Sequence, residues 1–151
     1  MESWEDFEKR EAALLKLLLL NKEPTIQGKV RIISGKAKNI LIDIPRNTRV
    51  LTDRLKTTVF DLLGSDIANK NVLDLYAGSG SFGLEAISRG AESCTFVEAS
   101  RGTEKILMDN IRKTGFLTET NIIRSKVEDF LPQAIGQELH FDIIILDPPY
   151  K

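Results

Sequence analysis

The run Asp147-Pro148-Pro149-Tyr150 closes the apolar stretch "FDIIILD" and is the part of the chain best suited to chemistry. Two consecutive prolines stiffen the backbone and remove two N–H donors. What remains is an array of acceptors, namely the Asp147 carboxylate and the carbonyls beside it. Converging acceptors suit an exocyclic amine such as that of guanine, adenine or cytosine. Asp147 and the Pro148 carbonyl can accept its two N–H bonds, Pro149 can hold the corner, and Tyr150 can stack on the base. A nitrogen held this way can attack an activated methyl directly, by positioning alone and without a covalent enzyme nucleophile. The chain's single cysteine, Cys94, and single histidine, His140, agree with that economy. They leave no disulfide and no cysteine metal cluster, and argue against a His-rich metal site or a Ser-His-Asp triad. No metal is expected. A rigid turn after a strand is the plainer reading of the same four residues.

A second constellation lies upstream. "GSGSFG", Gly78 to Gly83, spells G-x-G-x-x-G between a strand pattern and a helix pattern, and Glu98 follows at the end of the next strand. Such a loop fits a nicotinamide dinucleotide, an S-adenosylmethionine site, or merely a tight strand-to-helix turn. Asp74, in "VLDLYAGSG", separates these readings. A pyrophosphate prefers a helix N-terminus without an anion beside it. A carboxylate within ~5 Å would cost it on the order of a few kcal/mol at an effective dielectric near 20. S-adenosylmethionine brings an ammonium and a sulfonium, for which Asp74 is an asset. Capping of loop amides is the alternative role for Asp74.

Those residues need elements to hold them. "SWEDFEKREAALLKLLLLNKEP" reads as a helix capped by Ser3, with Glu5 and Asp6 in its first turn and Pro24 past its end. Its leucines cover more than one face, which predicts a helix buried or meeting a partner. "KVRIISGKAKNILIDIP" predicts a β-hairpin or arm. "LTDRLKTTVFDLLG" predicts a helix stopping at Gly64. From Asn71 onward strands and helices alternate, with four short β-branched strand runs. That order predicts an α/β fold with a parallel sheet covered on both faces.

The 151 residues suit one domain with a real core, and net charge is −1. Residues 28–58, however, hold eight cations against Asp43 and Asp53. Such a surplus can mark a nucleic-acid surface or simply a solvated face. No signal peptide is apparent, Ala12–Leu20 is too short to span a bilayer, and a cytoplasmic protein is expected.

Taken in order, "RIISGKAKN", "TRVLTDRLKTTVFDLLG", "VLDLYAGSGSFGLEAISRGA", "FVEAS" and "FDIIILDPPYK" resemble the RsmD type of bacterial guanine-N2 methyltransferase, which modifies small-subunit ribosomal RNA. The resemblance covers roughly residues 29–151. It implies a Rossmann-like class I methyltransferase fold with a mostly parallel sheet. It also implies S-adenosylmethionine as donor and ribosomal RNA, free or in a small-subunit particle, as partner. A helical extension (1–27) would precede the methyltransferase domain (28–151). By the same resemblance Asp74, Tyr76, Ala77, Gly78, Ser79 and Gly80 line the methionine side of the donor. Glu98 holds the ribose, Ala99 and the Val127 backbone lie by the adenine, and Thr52 and Arg54 lie near the donor carboxylate. Arg31, Lys36, Lys38 and Arg49 contact RNA phosphates.

Departures from the family are Val50 in place of a proline, Thr57 in place of a glutamate, and Lys126 in place of an aspartate near the adenine amine. Lysine cannot accept a hydrogen bond from that amine. Family members also continue past the Asp-Pro-Pro-Tyr corner. The expectation is a truncated enzyme with its fourth strand left as an apolar edge. Another chain, a second copy or the leucine-rich helix covering that edge is the alternative. Competing functions are an N6-adenine methyltransferase, a binding module without turnover and, more remotely, a nicotinamide oxidoreductase.

Overall fold

The computed structural model describes residues 1–22 and 25–149. Helix α1 spans Trp4–Lys22. Ser3 and Asp6 cap it reciprocally: the Asp6 N–H donates to Ser3 Oγ at 3.1 Å and the Ser3 N–H to Asp6 Oδ2 at 3.4 Å. Its described side chains, Trp4 to Leu18, are exposed, so the expected burial is not observed. The leucines wrap around the helix instead of forming one stripe, and a stripe is what docks a helix onto a core.

Strands β1 (Ile26–Arg31) and β2 (Leu41–Pro45) form the antiparallel hairpin, with Val30 opposite Ile42 and Arg31 opposite Leu41. This element is packed down on the molecule and is no free arm. At its tip, Gly35 has φ +90°, and a Cβ there would lie 1.8 Å from the Ser88 carbonyl oxygen. Only glycine permits that approach. The Lys36 N–H donates to the Ser88 carbonyl (2.9 Å) and the Ala37 N–H to Ser88 Oγ (2.9 Å).

Helix α2 (Asp53–Leu63) is capped by Thr52, whose Oγ1 accepts from the Leu55 N–H, and a 3-10 turn (Gly64–Ile67) follows. Then come β3 (Asn71–Leu75), α3 (Ser81–Ser88), β4 (Ser93–Glu98), α4 (Arg101–Thr114), β5 (Thr120–Arg124), α5 (Val127–Gly136) and β6 (Ile143–Leu146). The four strands β5-β4-β3-β6 make one parallel sheet. Residue alternation sorts its two faces. Val72, Cys94 and Phe96 pack with α3, α4 and the hairpin, whereas Leu73, Leu75 and Val97 pack with α5. Strand β6 is an edge: Ile143 and Ile145 face the larger core, while Ile144 and Leu146 are 59% and 63% exposed.

Among the described residues no helix is long and apolar enough to cross a membrane, and no group of side chains could hold a metal ion.

Candidate active site

Parallel strands deliver their carboxyl ends to one rim of the sheet, and ligands of open α/β folds bind there. A cavity of about 660 Å³ lies on that rim. It takes Asp74 from the end of β3, Tyr76 to Ser79 from the β3–α3 loop, and Glu98 and Ala99 from the end of β4. Lys126 to Glu128 come from the start of α5, and Asp147 to Pro149 from the end of β6. The glycine loop and the proline corner, 64 residues apart in the chain if counted from Gly83 to Asp147, thus share one hollow.

The glycines do different work. Gly78 (φ +57°) lets the loop pass close to Thr48, whose side chain would touch an added Cβ at 3.5 Å. Gly80 and Gly83 lie behind the cavity. A Cβ at Gly80 would strike Leu107 Cδ1 at 2.4 Å, and one at Gly83 would strike Phe96 Cε1 at 2.4 Å. Gly80 therefore packs the loop against α4 and is not in the cavity wall.

Asp74 is buried on the α3 side of the sheet, where its Oδ2 accepts from the Gly83 N–H at 3.2 Å. It has no ion pair among the described residues. Burial pushes its pKa up to about 8, the Gly83 N–H pulls it back in part, and the Asp147 and Glu98 carboxylates add to the rise. Burial likewise raises Glu98, against amide hydrogen bonds from Ser100, Ala99 and Gly78. Asp74 and Glu98 thus face the same hollow as Asp147, and a cation brought there would favour the ionised forms of both Asp74 and Glu98.

This arrangement has a measurable cost. Folded Asp74 holds its proton to about pH 8, whereas an ordinary aspartate gives it up near 3.8. The folded state is therefore favoured most below the lower value and loses that advantage as pH rises through the interval. Raising pH from about 5 to about 8 should lower the melting temperature of the ligand-free protein by on the order of 10 °C. Asp74→Asn should remove most of that slope. An unchanged slope in thermal melts of the variant would place the effect elsewhere.

At the proline corner, Arg49 Nη1 donates to Asp147 Oδ1 at 3.0 Å. Arg49, expected on an RNA-facing surface, instead lines the cavity and pairs with the carboxylate meant for the amine. Arg31 is likewise engaged, its Nε donating to Asp53 Oδ2 at 2.9 Å. Lys29 pairs with Asp43 and Lys56 with Glu85, so half of the eight local cations are matched by carboxylates. The surplus read from sequence shrinks because pairs such as Arg49–Asp147 span most of the chain. Lys36, Lys38, Arg46 and Arg54 have no carboxylate partner among the described residues.

Thr52 and Arg54 do not line the cavity. Thr52 is the N-cap of α2, and both residues are exposed. Their place is taken by Arg46, Asn47, Thr48 and Arg49, the loop leaving the hairpin. Asn47 sits at φ +67° there, a turn conformation that the asparagine could have signalled. Glu128, Ser100 and Thr103 also line the cavity unannounced. Asp74, Tyr76, Ala77, Gly78, Ser79, Glu98, Ala99, Val127, Asp147, Pro148 and Pro149 are brought together around it. Tyr150 lies outside the described residues.

Known proteins share this architecture. The chain is 36% identical over 130 residues to ribosomal RNA small subunit methyltransferase D of Haemophilus influenzae. It is 33% identical over 128 residues to the Escherichia coli K12 protein of that name. These matches cover 84% and 82% of the chain but 67% and 62% of those proteins, so the chain spans about two thirds of their length. A shorter match, 35% over 83 residues, covers 55% of the chain and 34% of a Shewanella baltica tRNA1(Val) (adenine(37)-N6)-methyltransferase. A solved structure of a hypothetical protein from Thermus thermophilus superposes with TM-score 0.73 at 35% identity, over 80% of this chain and 70% of that one. Escherichia coli yhhF superposes at 0.70 and 31%, over 82% and 66%. The fold is that of class I methyltransferases. The family described as "Conserved hypothetical protein 95" matches residues 30–151, and the chain accordingly belongs to it, the family of the RsmD-type ribosomal RNA small subunit methyltransferases.

Proposed function

We propose that this chain binds S-adenosylmethionine in the rim cavity and serves methyl transfer to the N2 amine of a guanine in small-subunit ribosomal RNA. The observation that carries the reading is Asp74, a buried carboxyl with a raised pKa and no cationic partner among the described residues. Such a group fits a ligand that arrives with its own positive charge. When bound, that donor supplies an electrophilic methyl on a sulfonium.

The chain's residues do the rest. Asp74 and the backbone of Ala77 to Ser79 hold the cationic end, and Glu98 accepts from the ribose hydroxyls. Asp147 and the Pro148 carbonyl accept the two N–H bonds of the guanine amine and turn its nitrogen toward the methyl. Arg49 gives up Asp147 as the amine arrives; a half-exposed pair of this kind is worth at most about 1 kcal/mol. Lys36 and Lys38 meet RNA phosphates, which position without reading sequence.

The test is incubation of the chain with methyl-labelled donor and small-subunit RNA lacking the modification, followed by nucleoside mass spectrometry. N2-methylguanosine supports the proposal. N6-methyladenosine would instead favour the second reading, for which the match to an adenine-N6 tRNA enzyme speaks. Donor binding with no methylated nucleoside would reduce the chain to a binding module, and no donor binding at all would overturn the reading.

A further inference from the structure

Tyr76 carries a backbone that its residue type disfavours. It follows β3 directly and has φ +57°, a left-handed conformation that bulky side chains seldom adopt. Strain of this kind persists only where surroundings hold it, and it gathers at functional sites. Two things hold Tyr76. Its ring packs against the cluster of Leu73, Leu75, Val97 and Val127, and its hydroxyl donates to Glu128 Oε1 at 3.2 Å. Desolvation and the Glu128 carboxylate both push the phenol's pKa up, so the hydroxyl remains a donor. The bond ties the β3–α3 loop to the first turn of α5, and both residues line the cavity at the end shared with Glu98, Ala99 and Lys126.

At that end few acceptors are open. The Lys126 ammonium can only donate. Its carbonyl already accepts from Ser125 Oγ at 2.8 Å and from the Asp129 and Phe130 N–H groups at 3.1 and 3.0 Å. Glu128 differs. One of its oxygens is taken by Tyr76, and the other, Oε2, has no hydrogen-bond partner among the described residues. A carboxylate with one oxygen anchored and one open is built to receive an N–H₂ group.

We propose that Glu128, oriented by the Tyr76 hydroxyl, accepts the 6-amino group of the donor's purine and so takes over the recognition that Lys126 cannot perform. The assignment rests on the donor reading above. Glu128 touches the ligand, whereas Tyr76 is a positioning residue that acts through it. The preference this creates is for a 6-aminopurine over a purine bearing hydrogen at the same carbon, since an acceptor covered by the ligand and left without its donor is costly.

Isothermal titration of the purified chain with two ligands tests this: S-adenosylhomocysteine and its 6-deaminated analogue, which carries hydrogen in place of the amine. The wild-type protein should bind the adenine ligand about tenfold more tightly. Glu128→Ala should lose about tenfold for the adenine ligand and nothing for the analogue, so the preference disappears. Tyr76→Phe should lose part of the preference, about threefold, because the carboxylate is no longer held. Equal weakening of both ligands in Glu128→Ala, or an undiminished preference, would overturn the assignment while leaving the donor reading intact. Failure of both ligands to bind the wild-type protein would overturn the two together. Glu128 is exposed at a helix start, so the variant is expected to fold, and its melting temperature checks that directly.

Discussion

Asp147→Ala should lower methyl transfer by about 10³-fold while donor affinity changes by less than about threefold. Loss of one preorganised polar group at a reacting centre commonly costs about 10²–10³, and Asp147 would both orient the amine and favour the charge developing on it. The small effect on donor binding follows from geometry. Asp147 sits on the β6 side of the cavity and reaches Asp74 only through its charge, which helps to raise the Asp74 pKa. Removing it should ease Asp74 ionisation slightly. Single-turnover rates give the first quantity and titration calorimetry the second. A fall in donor affinity as large as the fall in rate would mean that Asp147 shapes the whole cavity and has no particular claim on the amine. Asp147→Asn is informative beside it, because an amide oxygen can still accept one N–H while the negative charge is gone.

The second large effect concerns stability. Glu85→Ala should destabilise the protein by about 3–5 kcal/mol, read as a lowered midpoint of urea unfolding. Glu85 lies on α3 with no exposed surface. Its Oε1 accepts from the Ile33 N–H at 2.8 Å and from Lys56 Nζ at 3.2 Å. Oε2 accepts from the Ser34 N–H at 3.2 Å and from Arg89 Nε at 3.0 Å. Lys56 is equally hidden and also donates to the Arg31 carbonyl at 2.7 Å. Burial lowers the pKa of Lys56 and Glu85 raises it again. Alanine at 85 would strand that ammonium and two hairpin amides in the interior. The double variant Glu85→Ala/Lys56→Met should regain about half of the loss, since the fully buried ammonium goes while the Arg89 guanidinium and the two N–H groups stay without their carboxylate. Were the double variant no better than the single one, the hairpin amides and not the ion pair would carry the penalty.

What could be read from sequence, and what could not, divides along chain distance. The sheet was legible because each strand announces itself locally: "NVLDL", "SCTFVE", "TNIIR" and "IIIL" are short apolar runs set between helices that end at Gly90 or Gly115. Asp74, Gly78 and Glu98 were legible for a related reason. Asp74 and Glu98 sit at the carboxyl ends of such strands and Gly78 in the loop just beyond one, and a parallel sheet must bring those ends together. Asp147 carried a further sign in the prolines behind it. The Arg49–Asp147 pair had no local sign at all, since nothing in the spacing of "NTRVL" says which carboxylate, 98 residues on, its arginine will meet. The Lys56–Glu85 pair hid in the same way, inside a stretch that looked like a basic surface. Thr52 is a different kind of miss. Thr-Asp-Arg-Leu before a helix is a capping signal, and that local role explains its position without any ligand. The leucines of α1 show the limit of composition: they say that the helix is apolar, whereas burial needs them on one side.

One side chain in the hidden interior has a consequence for how the molecule comes apart. The Asn110 amide on α4 donates to the Asp43 carbonyl and to the Ser79 carbonyl, both at 2.8 Å, and accepts from the Asp43 N–H at 2.9 Å. A single planar group thereby rivets the second strand of the hairpin to the β3–α3 loop that lines the rim cavity. Peeling the hairpin away would take from that amide its two bonds to Asp43 and from the Glu85 carboxylate its two backbone donors, Ile33 and Ser34, in one stroke. The hairpin is thus no detachable flap: it and the β3–α3 loop belong to one cooperative unit, and whatever pulls on one is felt by the other.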